Sequence, residues 1–427
     1  MIESIRKMWK IGELRKKILY TFVMLLIYRL VGVIPAPGVD AVKVMSSNNA
    51  SNLPLLGLVN MMTGNAFEKM TLMAMGITPY INASIIMQLL TIAIPALERL
   101  SKEEDGRQKI NRITRYVTIG LAALQAIGLV RGLGFIKAGW LNYILVGVSM
   151  AGGTALAMWI GERITEKGVG NGISLLIFAG IISNLFNGVV NGFTNASANS
   201  TTSGWLTLVI VAATCILMTI VVTFVELGER RIPLQIAKQV KGRRVYGGQN
   251  THMSLKVVSV GVLPLIFAYS FLSFPETIAR LADPKLEGGF TIWWLRNMQQ
   301  GTILYMIISG LLIIAFTFFY SSISFDPKQQ AEQLQQQGAV IPGQRGKNIR
   351  QYLQNIVNRL NLFAAFFLAI LAAVPTLLIT LAGVKGSDIP FAASSILIAV
   401  SVSLETIRTL QGEMSVRGID MDMDGFM

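Results

Sequence analysis

Long stretches without a single Asp, Glu, Lys or Arg constrain this chain more than any other feature of its sequence. A helix that crosses a bilayer needs about 20 predominantly apolar residues, and six stretches approach or exceed that length. They cover residues 70–97, 138–161, 168–225, 257–275, 297–325 and 360–384. These stretches predict helices that span a membrane.

The longest stretch is long enough for two helices, and a polar patch at 191–204 divides it. Three weaker segments, at 18–34, 116–130 and 389–404, can be extended by their basic or polar flanks. The sequence thus predicts ten spans, near 18–34, 76–95, 113–131, 141–160, 173–190, 205–226, 257–278, 302–320, 360–381 and 389–408. Barrel strands are excluded as the spanning elements, because they alternate over about ten residues whereas these stretches are uniformly apolar.

Composition agrees with a membrane protein. Of the 427 residues, 52% are hydrophobic and only 14% are charged, against about a quarter charged in soluble domains. Such a chain is too apolar for disorder, and its one cysteine, Cys215, excludes a disulfide scaffold. The predicted fold class is an all-α polytopic membrane protein.

Basic residues are distributed unevenly between the predicted loops. The segments on the side of the two termini hold 28 of the 37 Lys and Arg residues. Because cytoplasmic loops are enriched in Lys and Arg, both termini are predicted to be cytoplasmic and the chain to lie in the plasma membrane. Residues 1–37 also fit a signal peptide, but its removal would contradict the charge distribution, so this segment is interpreted as a retained first helix.

Catalytic and metal-binding motifs are missing from the sequence. It contains no His-Glu-x-x-His motif, no Gly-x-Ser-x-Gly elbow and no Walker loop, and its single histidine, His252, is far from Cys215. The glycine-rich stretch 168–172 follows an apolar helix, so it predicts a tight turn between two spans and no nucleotide site. We therefore expect neither an enzyme nor a bound cofactor or metal.

The interiors of the predicted spans are nearly free of ionisable groups. Arg29, toward the outer end of the first span, is the exception. Ion-coupled transporters keep charged groups at membrane depth, so this pattern disfavours a small-solute secondary transporter. An intramembrane enzyme is disfavoured by the missing nucleophile, base and metal ligands.

Two further kinds of segment leave alternatives open. Residues 55–71 are rich in methionine but interrupted by glycine and asparagine, which is typical of an interfacial or re-entrant half-helix. The predicted loops 227–256 and 321–359 are long, polar and basic, with a helix-like stretch at 329–337. They fit solvated loops that set the topology, and equally a surface that docks a soluble partner.

Several motifs resemble one family. Residues 76–86 (GITPYINASII) with 88–90 (QLL) resemble the second-helix signature of the SecY/Sec61-alpha family. The matching motifs of that family's other helices and loops are, in order, Arg29 with 34–40 (IPAPGVD), 161–174 (GERITEKGVGNGIS), 242–246 (GRRVY) and 338–345 (GAVIPGQR). The resemblance to this family of protein-conducting channel subunits runs from about residue 11 to residue 410.

The resemblance implies two pseudo-symmetric halves, helices one to five and six to ten, around an hourglass pore. The implied organisation comprises a cytoplasmic segment 1–17, a first half 18–190, an external loop 191–204, a second half 205–410 and a cytoplasmic tail 411–427.

The resemblance also implies roles for individual residues. A ring of branched apolar side chains would close the pore by excluding water: Ile77, Ile81, Ile173, Ile177, Ile266 and Ile398. Segment 55–71 would be the plug on its outer side, including Leu55, Gly57, Asn60, Met61, Met62, Gly64, Asn65 and Phe67. Asn82 and Gln88 would belong to a lateral gate between helices two and three on one half and seven and eight on the other. Arg243, Arg244, Tyr246 and Arg345 would dock the driving partner.

The implied function is that of a passive channel for unfolded secretory proteins, which also releases membrane helices sideways into the bilayer. The implied partners are the SecA ATPase, the ribosome, SecE and SecG, and no nucleotide would bind to the chain itself.

Overall fold

The structure is a computed structural model and describes fourteen parts of the chain. They are residues 9, 11–40, 60, 62–103, 105–132, 139–199, 202–236, 239–241, 244–246, 250–282, 289–298, 302–343, 348–381 and 393–415.

Most of the described residues are helical. The helices before residue 228 are α1 Gly12–Val31, α2 Thr78–Ala93, α3 Pro95–Lys102, α4 Gly106–Gly132, α5 Trp140–Lys167, α6 Gly172–Asn199 and α7 Thr202–Leu227. Those after it are α8 Leu263–Ala282, α9 Gly289–Asn297, α10 Ile303–Ser324, α11 Pro327–Gln336, α12 Asn348–Leu381 and α13 Ala393–Ser415. Each of the ten predicted spans coincides with one of these helices, and α11 covers most of the helix-like stretch predicted at 329–337.

The prediction of an external loop at 191–204 is wrong for most of that segment. Helix α6 continues to Asn199, and α7 begins at Thr202. Asn, Ser, Thr and Ala are weak to good helix formers rather than breakers, and no proline interrupts the patch. Polarity therefore marked the end of the apolar stretch without ending the helix.

Length and hydropathy distinguish the helices further. Within the described residues, four helices are long and apolar enough to cross a membrane: Trp140–Lys167, Gly172–Val190, Ile303–Gln336 and Ile349–Val374. A fifth span is obtained when α2 and α3, which are bent by 106° at their junction, are taken together. The bend lies at Ile94, whose backbone is extended (φ −107°, ψ 111°) because Pro95 disfavours the helical conformation in the residue before it.

In the described parts of the chain, five β-strands lie outside the spans, which the all-α prediction did not anticipate. They are β1 Glu229–Ile236, β2 Gln239–Lys241, β3 Arg244–Tyr246, β4 Asn250–Lys256 and β5 Ala339–Val340. Strand β1 pairs antiparallel with β4 on one side and with β5 on the other, while β2 and β3 form a separate hairpin. The two long basic loops are thereby joined in one sheet.

Helices α11 and α12 pack on this sheet. Ile232 and Leu234 alternate with exposed residues along β1 and lie in an apolar cluster with Leu334 of α11 and Leu353 of α12. This small domain of β1, β4, β5, α11 and the first turns of α12 is called the sheet module below.

Apolar packing elsewhere is divided into three main clusters. One consists of residues between 36 and 150, and another is built mainly from α7, α8, α10, α12 and α13. A third, central cluster joins residues from both of these regions of the chain and includes side chains of α1, α2, α5, α6, α8 and α13. The central cluster is therefore the place where the two parts of the helical bundle meet.

Candidate functional site

The six isoleucines singled out in the sequence lie together in the central cluster. Ile77, Ile81, Ile177, Ile266 and Ile398 are between 3% and 8% exposed, and Ile173 is half-buried against them. They come from four helices or helix starts that are up to 321 positions apart in the chain. We call these six residues the isoleucine ring.

A tight turn places the first two members of the ring. Gly76 adopts a left-handed conformation (φ +51°), which glycine tolerates better than any residue with a side chain. Ile77 then caps α2, and Pro79 lies in its first turn, where a missing amide hydrogen is harmless. Ile77 and Ile81 are four residues apart and thus share one face of the helix.

A glycine turn, which the sequence predicted, places Ile173 and Ile177, the next two members of the ring. Helix α5 ends before Gly168, Gly170 has φ +70°, and α6 begins at Gly172. A Cβ at Gly172 would collide with the carbonyl oxygen of Gly161, so only glycine allows this close approach. The side chain of Asn171 caps α6 by accepting a hydrogen bond from the Ile173 amide at 3.1 Å.

A cavity of about 300 Å³ reaches the ring from the side of the sheet module. Ile177, Ile266 and Ile398 contribute to its wall. The lining also includes polar and charged side chains, namely Ser174, Glu226, Lys256, Ser401, Glu405 and Arg408. The cavity wall therefore combines three isoleucines of the ring with polar and charged groups.

A folded segment of the chain, residues 60–71, packs against the ring from a direction other than that of the cavity. Met62 and Ala66 are buried in the same cluster as the isoleucines. Phe67 and Met70, on the same segment, are buried in the neighbouring cluster with residues of α4 and α5. We call residues 60–71 the plug segment; Leu55, Gly57 and Met61, which the sequence assigned to it, lie outside the described residues.

Hydrogen bonds shape the plug segment internally. The Asn60 side-chain oxygen accepts from the Glu68 amide at 3.0 Å, and the Asn60 carbonyl accepts from the Asn65 amide at 3.0 Å. Asn65 and Gly64 both have positive φ, at 66° and 67°. The polar residues that make this segment unsuitable as a span thus fold it into a compact turn.

Helix α6 contacts the plug segment through residues to which the sequence assigned no functional role. Asn184 Nδ2 donates to the carbonyl oxygen of Asn60 at 2.9 Å. A Cβ at Gly180 would collide with the carbonyl oxygen of Met62. Ser183 accepts a hydrogen bond from Arg29 of α1. The sequence feature that could have indicated these contacts was the presence of Ser183 and Asn184 inside an otherwise apolar stretch.

The helices expected to border a lateral gate are in contact. Helix α8 packs against both α2 and α4. Asn82 is 1% exposed and Gln88 is half-buried on α2. Within the described part of the chain, Asn82 Oδ1 and Gln88 Oε1 are buried without a hydrogen-bond donor, and the structure does not bring these two side chains together.

The predicted docking residues are only partly described. The backbones of Arg244 and Tyr246 lie in β3 and pair with Lys241 and Gln239 of β2. Arg243 and Arg345 lie outside the described residues.

The arrangement defines a class of protein. Among the described residues, no group of three or more His, Cys, Asp or Glu side chains could hold a metal ion. What the bundle presents is a cluster of branched apolar side chains between a partly polar cavity and a packed segment. Such an arrangement is typical of a multi-pass membrane channel with an apolar barrier.

Comparison with known proteins gives the family. The SecY family model matches residues 71–407. A protein translocase subunit SecY from Streptomyces scabiei is 38% identical over 98% of this chain and 99% of its own length. The protein of the same name from Escherichia coli strain K12 is 38% identical over 94% of this chain and 92% of its own length. The chain belongs to the SecY family.

Solved structures share its fold. One described as a protein conducting channel has a TM-score of 0.67 at 20% identity and covers 94% of this chain and 93% of its own. Sec61 in the canine ribosome-channel complex from the endoplasmic reticulum has a TM-score of 0.63 at 19% identity, again covering 94% of this chain and 93% of its own.

Proposed function

We propose that this chain is a protein-conducting channel that carries unfolded secretory proteins across the cell membrane. Membership in the SecY family supports the proposal, and the observation that carries it is the convergence of the six isoleucines in one cluster, three of them in the wall of the cavity. The two pseudo-symmetric halves, 18–190 and 205–410, meet at this ring.

The isoleucine ring would serve two opposing requirements. A narrow constriction of branched apolar side chains does not hold a continuous column of water, so it blocks ions. Since the contacts within it are non-directional, the same side chains can pack around a passing chain of any sequence. The plug segment adds protein mass on the ring's other side in the resting channel.

Sideways release would use the interface of α8 with α2 and α4. A membrane helix leaves the pore there because burial of its apolar side chains in lipid is favourable. The unpaired amide oxygens of Asn82 and Gln88 support their assignment to this interface, since unsatisfied buried polar atoms weaken the closed contact.

The energy for transport would come from partners. The excess of Lys and Arg on one side supports cytoplasmic termini and a cytoplasmic sheet module. Structural neighbours include Sec61 in a ribosome-channel complex, which supports the ribosome as one partner. SecA, SecE and SecG complete the proposed assembly, with SecA docking at Arg243, Arg244, Tyr246 and Arg345.

Reconstituted transport tests the function and the docking site together. Vesicles that contain the channel, SecE and SecG should import a secretory precursor when SecA and ATP are added. Arg345→Glu should reduce import strongly, because loss of an interface anchor costs on the order of 2 kcal/mol or more. Arg345→Lys should be partly active, since it keeps the charge but loses the guanidinium fork.

Thermal stability and membrane insertion of both variants serve as controls and should stay near those of the parent. Import at the parental level by the Arg345→Glu channel would contradict the docking assignment. The absence of import by the parent channel itself, with folded partners present, would contradict the proposed function.

A further inference from the structure

Arg29 is a cation within a predicted span, and its side chain reaches across to another helix. It lies near the end of α1 and is half-buried. Its guanidinium donates a hydrogen bond through Nη2 to the hydroxyl of Ser183 on α6. A charged group at membrane depth is unfavourable unless polar partners surround it, so this contact fixes where the guanidinium lies.

The same guanidinium covers the plug segment at Gly64. A Cβ at Gly64 would lie 3.0 Å from Arg29 Cζ and 3.1 Å from Nη2, and closer still to Nη1. Gly64 also has φ +67°, a conformation that other residues adopt at a cost. The backbone of the plug segment thus turns directly beneath the arginine.

A second contact holds the segment from α6 itself. Asn184 is 7% exposed and donates to the Asn60 carbonyl oxygen at 2.9 Å. That carbonyl also accepts from the Asn65 amide at 3.0 Å and the Thr63 hydroxyl at 3.2 Å. Asn184 therefore binds the atom around which the turn of the plug segment is organised.

We infer that Arg29 and Asn184 are positioning residues that hold the plug segment against the isoleucine ring, Arg29 over Gly64 and Asn184 at the Asn60 carbonyl. This inference rests on the proposed function and specifies how the resting state is maintained. Arg29 is held by its hydrogen bond to Ser183 and packs over Gly64, whereas Asn184 binds the segment by a hydrogen bond. These contacts add to the burial of Met62, Ala66, Phe67 and Met70 in two apolar clusters. Removing them loosens the segment without changing the isoleucines themselves.

Cysteine alkylation measures the position of the segment without any transport. A Met62→Cys reporter in a Cys215→Ser chain is placed at a site that is 5% exposed, so a maleimide should modify it slowly. Arg29→Met and Asn184→Leu keep side-chain volume but remove the donors. Arg29→Met removes the guanidinium that Ser183 holds over Gly64, and Asn184→Leu removes the hydrogen bond to the Asn60 carbonyl. Each should raise the alkylation rate by about tenfold, and the double variant should raise it further.

Matched controls separate release of the segment from general loosening. Arg112→Met and Asn111→Leu make the same changes at exposed positions of α4 and should leave the rate within about twofold. An Ala364→Cys reporter, fully buried in another cluster, should stay unreactive in all variants. Arg29→Lys should restore part of the protection.

An unchanged Met62→Cys rate in the double variant would overturn the inference, and so would a parallel rise at Ala364→Cys. If the parent channel transports a precursor while the Arg29→Met and Asn184→Leu variants alkylate at the parental rate, only this inference fails. If these variants alkylate faster but no preparation transports, the inference about the segment holds and the proposed function fails.

Discussion

The isoleucine ring has different surroundings on its two described sides. Toward the sheet module it borders a cavity of about 300 Å³ whose wall also carries charged side chains. In the direction of the plug segment it is covered by Met62 and Ala66, with Arg29 and Asn184 packed against the segment from α1 and α6.

Under the proposed function, this asymmetry would separate two tasks. The side with the cavity, the open side, would admit a polar, hydrated chain as far as the ring. The side with the plug segment, the filled side, would add protein that must move before anything can pass. Apolar contacts dominate at the ring, while the plug segment combines apolar burial with a polar contact from Asn184 to the Asn60 carbonyl.

The largest effect is expected from filling the contact between α6 and the plug segment. A side chain at Gly180 would collide with the backbone of Met62, which cannot move aside as a flexible side chain can. Gly180→Leu should therefore unseat the segment, raise resting ion conductance in planar bilayers, and destabilise the channel by about 1–3 kcal/mol.

Gly152→Leu is the matched control for that variant. Gly152 is an exposed glycine of α5, with nothing within 4 Å of a Cβ built on it. The conductance of the Gly152→Leu channel should equal that of the parent. Equal conductance of the Gly180→Leu and Gly152→Leu channels would contradict the importance of the filled side.

A somewhat smaller effect is expected at the ring. Ile266→Asn introduces a polar group that favours water in the constriction, so resting conductance should rise while the plug segment still covers one side. Ile266→Val keeps the surface apolar and should cost only about 0.5–1.5 kcal/mol, with no added conductance. If both variants conduct like the parent in single-channel recordings, Ile266 is not part of the barrier.

The smallest effect is expected on the open side. Ser401 donates a hydrogen bond to Glu226 Oε1 at 3.1 Å in the cavity wall, and Ser401→Ala removes it. Thermal unfolding should show a loss of about 1 kcal/mol, and resting conductance should not change because the barrier lies deeper. A leak as large as that of Ile266→Asn would place the barrier in the cavity wall instead of the ring.

Much of the architecture could be predicted without the structure. Each of the ten predicted spans coincides with a helix, because about 20 apolar residues in a row have few other stable arrangements. The glycine turn before Ile173 was also predicted, since glycines at 168, 170 and 172 leave little choice. In contrast, the loop predicted at 191–204 is largely helical, because polarity is a weaker signal than proline for the end of a helix.

Sequence by itself determined which segments span, where tight turns occur and, through family motifs, which isoleucines are candidates for the ring. Only the tertiary structure decided that two basic loops share one sheet, since β1 and β5 are about a hundred positions apart and pair through backbone atoms that carry no side-chain signature. It also decided that Asn184 binds the Asn60 carbonyl and that Arg29 covers Gly64. Contacts of this kind depend on the distance between atoms in space, and a pattern along one helix records only which residues share a face.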